Sequence, residues 1–248
     1  MTKSRREGVT RPPPFKRSRN KLLAELPADD YQRLLPTLTP LPLKFRQVLH
    51  KPGSKIGEVY FPESGVCSVV SAMSDGRMVE VATIGKEGVT GLALFLGGDT
   101  AASETFVQVP GDQAQSMPAA AFRREMERLG PLYEQVSRYS QALQVLIMQS
   151  AACNALHSVE ERCSRWLLMT RERIDSDELN LTHEFLGYML GVRRPTVSLV
   201  LGTLAKAGLI RNGTRKITVL DPERLQATSC ECYQVVKNAF DRLLPTTQ

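Results

Sequence analysis

Residues 181–210 constrain the fold of this 248-residue chain most strongly, because two short amphipathic segments meet there at a glycine. Thr182 is a good N-cap for the first segment. Gly191 supplies the positive φ that a tight turn needs, and Gly208 stands where a C-terminal cap belongs. The apolar residues at helical spacing are Phe185, Leu186, Met189 and Leu190 in the first segment, and Val197, Leu201 and Leu204 in the second.

This arrangement predicts a helix-turn-helix, a motif whose second helix lies in the major groove of DNA. The face of the second segment opposite its apolar residues carries Arg194, Pro195, Ser198 and Leu199. An ordinary pair of antiparallel helices with solvated arginines is the alternative that this stretch alone leaves open.

The residues that follow the second segment favour the DNA-binding interpretation. Residues 211–216 form a basic, turn-rich loop between two short apolar runs, a pattern that predicts a β-hairpin, or wing. Between positions 181 and 216 six basic residues face the single acid Glu184, a local excess that suits a polyphosphate surface. The basic residues are Arg193, Arg194, Lys206, Arg211, Arg215 and Lys216.

The segment LTHEFLGYMLGVRRPTVSLVLGTLAKAGLI and its wing resemble the DNA-binding end of the Crp/Fnr family of bacterial transcription regulators. The resemblance implies an α+β fold with an N-terminal antiparallel β-roll (jelly-roll-like), a long dimerisation helix and a C-terminal winged helix-turn-helix. It also implies a homodimer on double-stranded DNA, with RNA polymerase as a further partner. The expected divisions are a basic disordered tail at 1–20, a β-roll sensor domain at 21–125, a dimerisation helix at 126–157 and a DNA-binding domain with a C-terminal helix at 158–248.

The chain upstream fits this expectation. Residues 21–35 predict two short helices, and Pro36, Pro40 and Pro42 then predict irregular structure. From residue 43 to 117 the hydrophobic period is two, with turn residues recurring at intervals typical of an antiparallel barrel or sandwich. The Asp75-Gly76 turn is the clearest hairpin among them. The spacing of glycines resembles the β-roll of cyclic-nucleotide-binding domains.

The resemblance fails at the effector pocket. In nucleotide-binding members, the stretch matching residues 88–92 carries a Gly-Glu pair, and a later arginine holds the cyclic phosphate. Here no glutamate follows Gly88, and residues 101–104 contain no arginine but end in Glu104, which would repel an anion. Cyclic AMP is therefore not expected, and the effector is unknown. The region is either a pocket for another molecule or a filled core, and its candidate residues are Gly88, Val89, Thr90, Gly91, Ser103 and Glu104.

Four further helices are predicted after the β-rich region, of which one is capped by Ser158 and is expected to pack beneath the helix-turn-helix. One starts at Pro118, with proline at its first position. A long one follows Gly130-Pro131 and runs to about His157; the resemblance makes it the dimer seam, whereas the pattern alone also allows a helix buried in its own domain. A last helix opens near Asp221 and is expected to pack on the DNA-binding domain. The predicted seam residues are Leu132, Val136, Tyr139, Leu143, Leu146, Ile147 and Ser150.

The resemblance also assigns DNA-contacting roles. Arg194 matches the arginine with which the family reads guanine, and Arg215 and Lys216 would hold the wing on the DNA backbone. Pro195 and Leu199 replace a glutamate and an arginine of the best-known member, so the operator should differ from that member's. The remaining candidates for contacts with phosphates or neighbouring bases are Thr182, Arg193, Thr196 and Ser198.

Other functions find less support in the sequence. None of the three histidines has the neighbours of a catalytic triad, so no enzyme is expected. No cofactor and no metal are expected either, because Cys230 and Cys232 form a lone C-x-C pair and no cysteine precedes Cys67. Without an apolar run of roughly 20 residues or a signal peptide, a cytoplasmic location is expected. A dimeric sensor or scaffold whose winged helix contacts protein remains the alternative function.

The net charge of +6 is concentrated at the N-terminus. Residues 1–21 contain eight basic residues and one acid, and the rest of the chain is close to neutral. The tail either adds non-specific affinity for DNA or is simply solvated.

Overall fold

The computed structural model describes residues 17–245, so most of the predicted basic tail lies outside the described residues. Its last four positions contradict the expected disorder, because Ser18 and Asn20 are buried. Ser18 donates a hydrogen bond to Glu63, and Asn20 donates through Nδ2 to the carbonyl oxygens of Pro62 and Gly88. Chain entropy is offset at these positions by buried polar contacts, which composition alone did not indicate.

The N-terminal part is an antiparallel β-roll preceded by the two predicted short helices, α1 (Lys21–Ala24) and α2 (Ala28–Leu34). Its strands form a three-stranded sheet in the order β1-β7-β3 and a four-stranded sheet in the order β2-β6-β4-β5, which share one apolar core. The strands are β1 (Thr39–Leu43), β2 (Val48–His50), β3 (Glu58–Pro62), β4 (Val66–Ala72), β5 (Met78–Ile84), β6 (Glu104–Val109) and β7 (Gly111–Pro118).

The predicted hairpin is confirmed, and one predicted irregular segment is wrong. Strands β4 and β5 pair antiparallel around Gly76, whose φ is 83°. Pro40 and Pro42, expected in irregular structure, lie in β1. Among the described strands this one is at the edge of its sheet and pairs only with β7, and an edge strand tolerates residues without an N–H donor.

Two helices follow the β-roll. Helix α3 (Ala119–Glu127) begins one residue later than predicted, because Pro118 is its N-cap and not its first residue. Helix α4 (Pro131–Leu156) spans 26 residues, close to the predicted bounds. The expectation that its apolar pattern forms a dimer seam is wrong for most of the named residues, since they are buried within the chain itself. The buried ones are Leu132, Val136, Tyr139, Leu143, Leu146 and Ser150; only Ile147 is exposed.

The C-terminal part is a winged helix-turn-helix. Its third strand, β8 (Glu178–Leu179), was not predicted and pairs with the wing to give a sheet in the order β8-β10-β9. The other elements are α5 (Val159–Ile174), α6 (His183–Leu190), α7 (Arg194–Lys206), β9 (Ile210–Asn212), β10 (Ile217–Val219), α8 (Pro222–Thr228) and α9 (Cys232–Leu243).

The single C-terminal helix expected on the DNA-binding domain is instead two helices with different partners. Helix α8 packs on α5, whereas α9 packs mainly along α4. Phe240 of α9 meets Tyr139 of α4 edge-on, with the ring centroids 6.5 Å apart. An amphipathic helix buries its apolar face wherever a complementary face exists, which local periodicity does not reveal.

The winged helix-turn-helix docks directly on the β-roll. Phe185 of α6 meets Phe106 of β6 edge-on, with centroids 6.3 Å apart. Arg173 of α5 forms a buried ion pair with Glu87 of the β-roll at 2.8 Å. None of the helices described is both long enough and apolar enough to cross a membrane.

Candidate nucleic-acid interface

An N-cap and two glycines shape helix α6 and its turn into α7. Thr182 caps α6 by accepting a hydrogen bond from the N–H of Phe185 at 3.1 Å, as predicted. Gly191 takes the left-handed conformation, with φ 65°. The importance of Gly187 was not predicted from the sequence. A Cβ at this position would lie 2.9 Å from the carbonyl oxygen of Val192. The two helices can therefore approach closely only with glycine at this position.

Helix α7 presents one face to solvent and buries the other. Its buried face consists of Val197, Val200, Leu201 and Leu204, and its first turn contains no acid. The positive end of its dipole is therefore open to an anion. The predicted contact residues Arg193, Arg194, Pro195, Thr196 and Leu199 are all solvent-facing, and Leu199 has 73% of its surface accessible.

A histidine bridges the three elements of this surface. His183 of α6 bonds through Nδ1 to the hydroxyl of Ser198 on α7, and through Nε2 to Oδ1 of Asn212 on β9, both at 2.9 Å. Ser198 was expected to contact DNA; it is half-buried and engaged in this internal network. No local pattern indicated the network, because its members are 15 and 29 residues apart. It sets the position of the wing relative to α7.

The two predicted wing cations differ in environment. Arg215 is exposed and forms no ion pair with any residue between 17 and 245. Lys216 is also exposed, but its ammonium group pairs with the carboxylate of Glu178 on β8. Because the partner strand was not predicted, neither was this pairing. Of these two cations, Arg215 is thus the one that is free to meet a phosphate.

A groove of about 510 Å³ lies between the start of α7 and the wing. It brings together Thr182, Arg194 and Arg215, three residues that the sequence assigned to DNA. An open groove lined by two guanidinium groups and a hydroxyl is suited to a phosphate chain. His183, Glu184, Asn212, Gly213 and Thr214 complete its lining.

The candidate effector pocket is filled at its centre. Val89 and Thr90 are fully buried, and the Thr90 hydroxyl accepts from the N–H of Tyr60 and bonds to Nε2 of His50 at 2.9 Å. Burial lowers the pKa of His50 to about 4, so this imidazole is neutral near pH 7. The hydrogen-bonding groups of residues 88–90 are therefore used within the core.

The other candidate pocket residues lie around this filled centre. The Tyr139 ring covers Gly88 so closely that a Cβ there would lie 2.3 Å from Cζ. Gly91 turns the chain with φ 76° beside His50. Ser103 and Glu104 are partly exposed at the start of β6, opposite Val70 of β4.

One group of potential metal ligands occurs in the described part of the chain, away from this interface. It consists of Cys153, His157, Cys230 and Cys232. The interpretation of Cys230 and Cys232 as an isolated pair is therefore wrong, because the fold brings two further ligand side chains close to them. The two further ligand side chains come from the end of α4, about 75 residues earlier.

Residues 161–228 match a family model described as a Crp-like helix-turn-helix domain. The chain carries a Crp-like helix-turn-helix domain. The resemblance to the Crp/Fnr family of transcription regulators is thereby confirmed, and the domain's exposed α7 is the helix that a helix-turn-helix inserts into DNA. No curated protein sequence matches the chain.

Solved structures share the Crp/Fnr fold over most of their length. The c-di-GMP responsive global regulator CLP of Xanthomonas campestris is 18% identical, with a TM-score of 0.64 over 78% of this chain and 99% of CLP. FixK2 of Bradyrhizobium japonicum is 20% identical, with a TM-score of 0.61 over 78% and 98% of the two chains. A CRP-family transcriptional regulator of Thermus thermophilus is 19% identical, with a TM-score of 0.62 over 77% and 99%.

Proposed function

We propose that this chain is a sequence-specific transcription regulator that binds a pseudo-palindromic operator as a homodimer. The observation that carries the proposal is the solvent-facing start of α7, where Arg193 and Arg194 stand beside the groove that also holds Arg215. Two such helices, related by a two-fold axis, would enter successive major grooves about 34 Å apart.

The homodimer is supported by a second stripe on α4 that residues 17–245 leave uncovered. Met148, the large apolar residue of this stripe, has 59% of its surface accessible, and Ile147 and Leu156, which adjoin the stripe in sequence, are also exposed. Exposed residues recur at alternating steps of three and four, the spacing of a coiled-coil seam. These residues are Gln141, Gln144, Met148, Ala151 and Ala155. A second copy of α4 would cover this stripe, and its small alanines permit close approach of the two helices.

Base reading is assigned chiefly to Arg194. Its guanidinium group can bond in bidentate fashion to O6 and N7 of guanine, a contact that discriminates against other bases by about 1–3 kcal/mol. Leu199 lies just over one turn further along α7 and is suited to a thymine methyl group. Arg193, Thr196 and Arg215 would position the helix through phosphates.

Cyclic AMP is not the effector in this proposal. Thr90 and Val89 have no accessible surface for a ligand, and Glu104 places a carboxylate at the strand where the family uses an arginine. A cyclic phosphate would meet a negative charge there without a guanidinium partner.

The proposal is tested by selecting bound sequences from a random duplex pool, without nucleotide and with either cyclic AMP or cyclic di-GMP. A two-fold symmetric motif recovered equally with and without cyclic AMP is the expected result. The scaffold alternative predicts no enrichment and no retention on heparin or random duplex DNA at low salt, because its winged helix would contact protein.

A further inference from the structure

The strongest unassigned feature is a cluster of three thiols and one imidazole where α4 ends. Cys153 lies in the last turn of α4, and His157 follows that helix directly. Cys230 precedes α9, and Cys232 is its first residue. One ligand atom from each of the four side chains lies within 4.8 Å of all the others.

These distances fit a single tetrahedral ion. The Sγ atoms of Cys153 and Cys230 are 3.5 Å apart, and Sγ of Cys232 is 3.4 Å from Nδ1 of His157. With Zn–S bonds of about 2.3 Å and Zn–N bonds of about 2.0 Å, the edges of a tetrahedral site are roughly 3.4–3.8 Å. The four atoms therefore need to move little to share one ion. Three thiolates and one imidazole are also a donor set typical of structural zinc.

The surroundings orient the ligands as metal sites require. Nε2 of His157 lies 3.3 Å from the carboxylate of Glu231, which leaves Nδ1 directed at the thiol of Cys232. A carboxylate on the remote ring nitrogen is the usual partner of a metal-bound histidine. Gln149 donates through Nε2 to Sγ of Cys232 at 3.1 Å, an interaction that a thiolate accepts well.

The charge of the site is also accounted for. A zinc ion with three thiolates and one neutral imidazole carries a net charge of about −1. Arg162 and Arg165 of α5 are buried, with 9% and 8% of their surfaces accessible. Burial raises the pKa of the Cys153 thiol, and the positive charge of Arg165 opposes that rise. Buried cations beside the thiols would stabilise the anionic complex.

We propose that Cys153, His157, Cys230 and Cys232 bind one zinc ion, which fixes the start of α9 to the end of α4. Binding would release the protons of three thiols to solvent, so no oxidant or reductant takes part. The ion would lie at the junction between α4 and α5, which joins the proposed dimer helix to the DNA-binding domain. This inference replaces the expectation from sequence that the chain holds no metal.

The test is the metal content of the full chain purified without chelators from zinc-supplemented medium. About one zinc per chain is expected, and C232S and H157Q should each lose most of it. C163A is the matched control, because Cys163 is buried in α5 outside the cluster and its loss should leave the zinc in place. Circular dichroism of each variant distinguishes a lost ligand from a lost fold.

A second measurement does not depend on the variants folding. Protein stripped of metal and titrated with cobalt(II) should show thiolate-to-cobalt charge transfer and the visible bands of a tetrahedral site, saturating at one ion per chain. The proposal is overturned by purified protein without zinc that gives no such bands. It is equally overturned by protein that, as purified under reducing conditions from zinc-supplemented medium, holds a Cys153–Cys230 disulfide and no zinc, or holds iron with visible absorption in place of zinc.

Discussion

Trp166 of α5 donates a hydrogen bond from its indole N–H to the carboxylate of Glu80 on β5, at 2.8 Å. Ser68 of β4 donates to the other oxygen of that carboxylate at 2.7 Å. Burial raises the pKa of Glu80 to about 7, although the hydrogen bonds from Ser68 and Trp166 and the charges of Arg173 and Arg165 oppose the rise. A side chain that links the β-roll to the DNA-binding domain thus titrates near neutral pH.

The stability of the protein should depend on pH through this carboxyl group. Between the ordinary value of 4.5 and about 7, the folded chain keeps the proton that the unfolded chain has lost. The free energy of unfolding therefore falls as pH rises through this window and levels off above it. E80Q lacks the pH-dependent contribution of Glu80 to the free energy of unfolding. The variant should therefore gain stability relative to wild type as pH rises.

Urea denaturation between about pH 5 and pH 8 measures this effect. E127Q is the control, because Glu127 is exposed on α3 and its carboxylate is solvated. If E80Q and wild type lose stability in parallel over the whole range, Glu80 does not titrate near neutrality.

Gly88 should be the glycine whose replacement damages the packing of α4 on the β-roll. A Cβ there would lie 2.3 Å from the Tyr139 ring, so the buried ring or the backbone at Gly88 must shift. We expect G88A to lower the free energy of unfolding by about 1–3 kcal/mol in chemical denaturation. In contrast, a Cβ at Gly202 of α7 meets no atom within 4 Å. G202A should be neutral or stabilising, by up to about 1 kcal/mol, and equal losses for both variants would contradict this account.

The wing should contact DNA through Arg215 more than through Lys216. R215A is expected to weaken binding to all duplexes and to reduce the slope of log K against log salt by about two, because each subunit of the dimer loses one phosphate contact. K216A should lower the affinity for DNA less than R215A does, because Glu178 already neutralises the ammonium group of Lys216. E178Q frees Lys216 and should therefore strengthen binding at low salt. Equal losses for R215A and K216A, with E178Q unchanged, would show that the ion pair does not persist on DNA.

The uncovered stripe of α4 should be the dimer interface. M148E places a charge where the second copy would pack, and sedimentation should find it mostly monomeric at concentrations where wild type is dimeric. L220E is a control of the same chemistry, since Leu220 is 47% exposed and follows the wing. The proposed interface would be ruled out if the wild-type chain sediments as a monomer, or if M148E leaves the dimer intact.

Local patterns in the sequence predicted most of the elements but not their partners, and they missed β8 and the division of the last helix into α8 and α9. Thr182, Gly191 and the Asp75-Gly76 turn act on residues within a few positions, so their effects were predicted correctly. The three-and-four spacing of apolar residues in α4 was recognised. It could not indicate that the predicted seam residues face the β-roll and α9 of the same chain. The side chain of Tyr139, for example, is covered by Gly88 and by Phe240 of α9.

The candidate sites follow the same division. Arg194 is exposed because it is the first residue of α7, three residues before Val197 begins the buried face of that helix. The bond of His183 to Asn212 and the pairing of Lys216 with Glu178 depend on how separate elements meet in space. The cluster of Cys153 and Cys230 joins residues 77 positions apart, and no motif with that spacing signals it.

The central claim, that α7 reads DNA, is tested most directly by the affinity of R194A for the operator recovered by selection. We expect the Kd for that operator to rise by about 30-fold or more, because each of the two half-sites loses a contact of about 1–3 kcal/mol and with it the preference for one guanine. R124A, which removes an exposed arginine of α3, should bind as wild type does. If R194A keeps wild-type affinity and the guanine preference, α7 is not the reading helix.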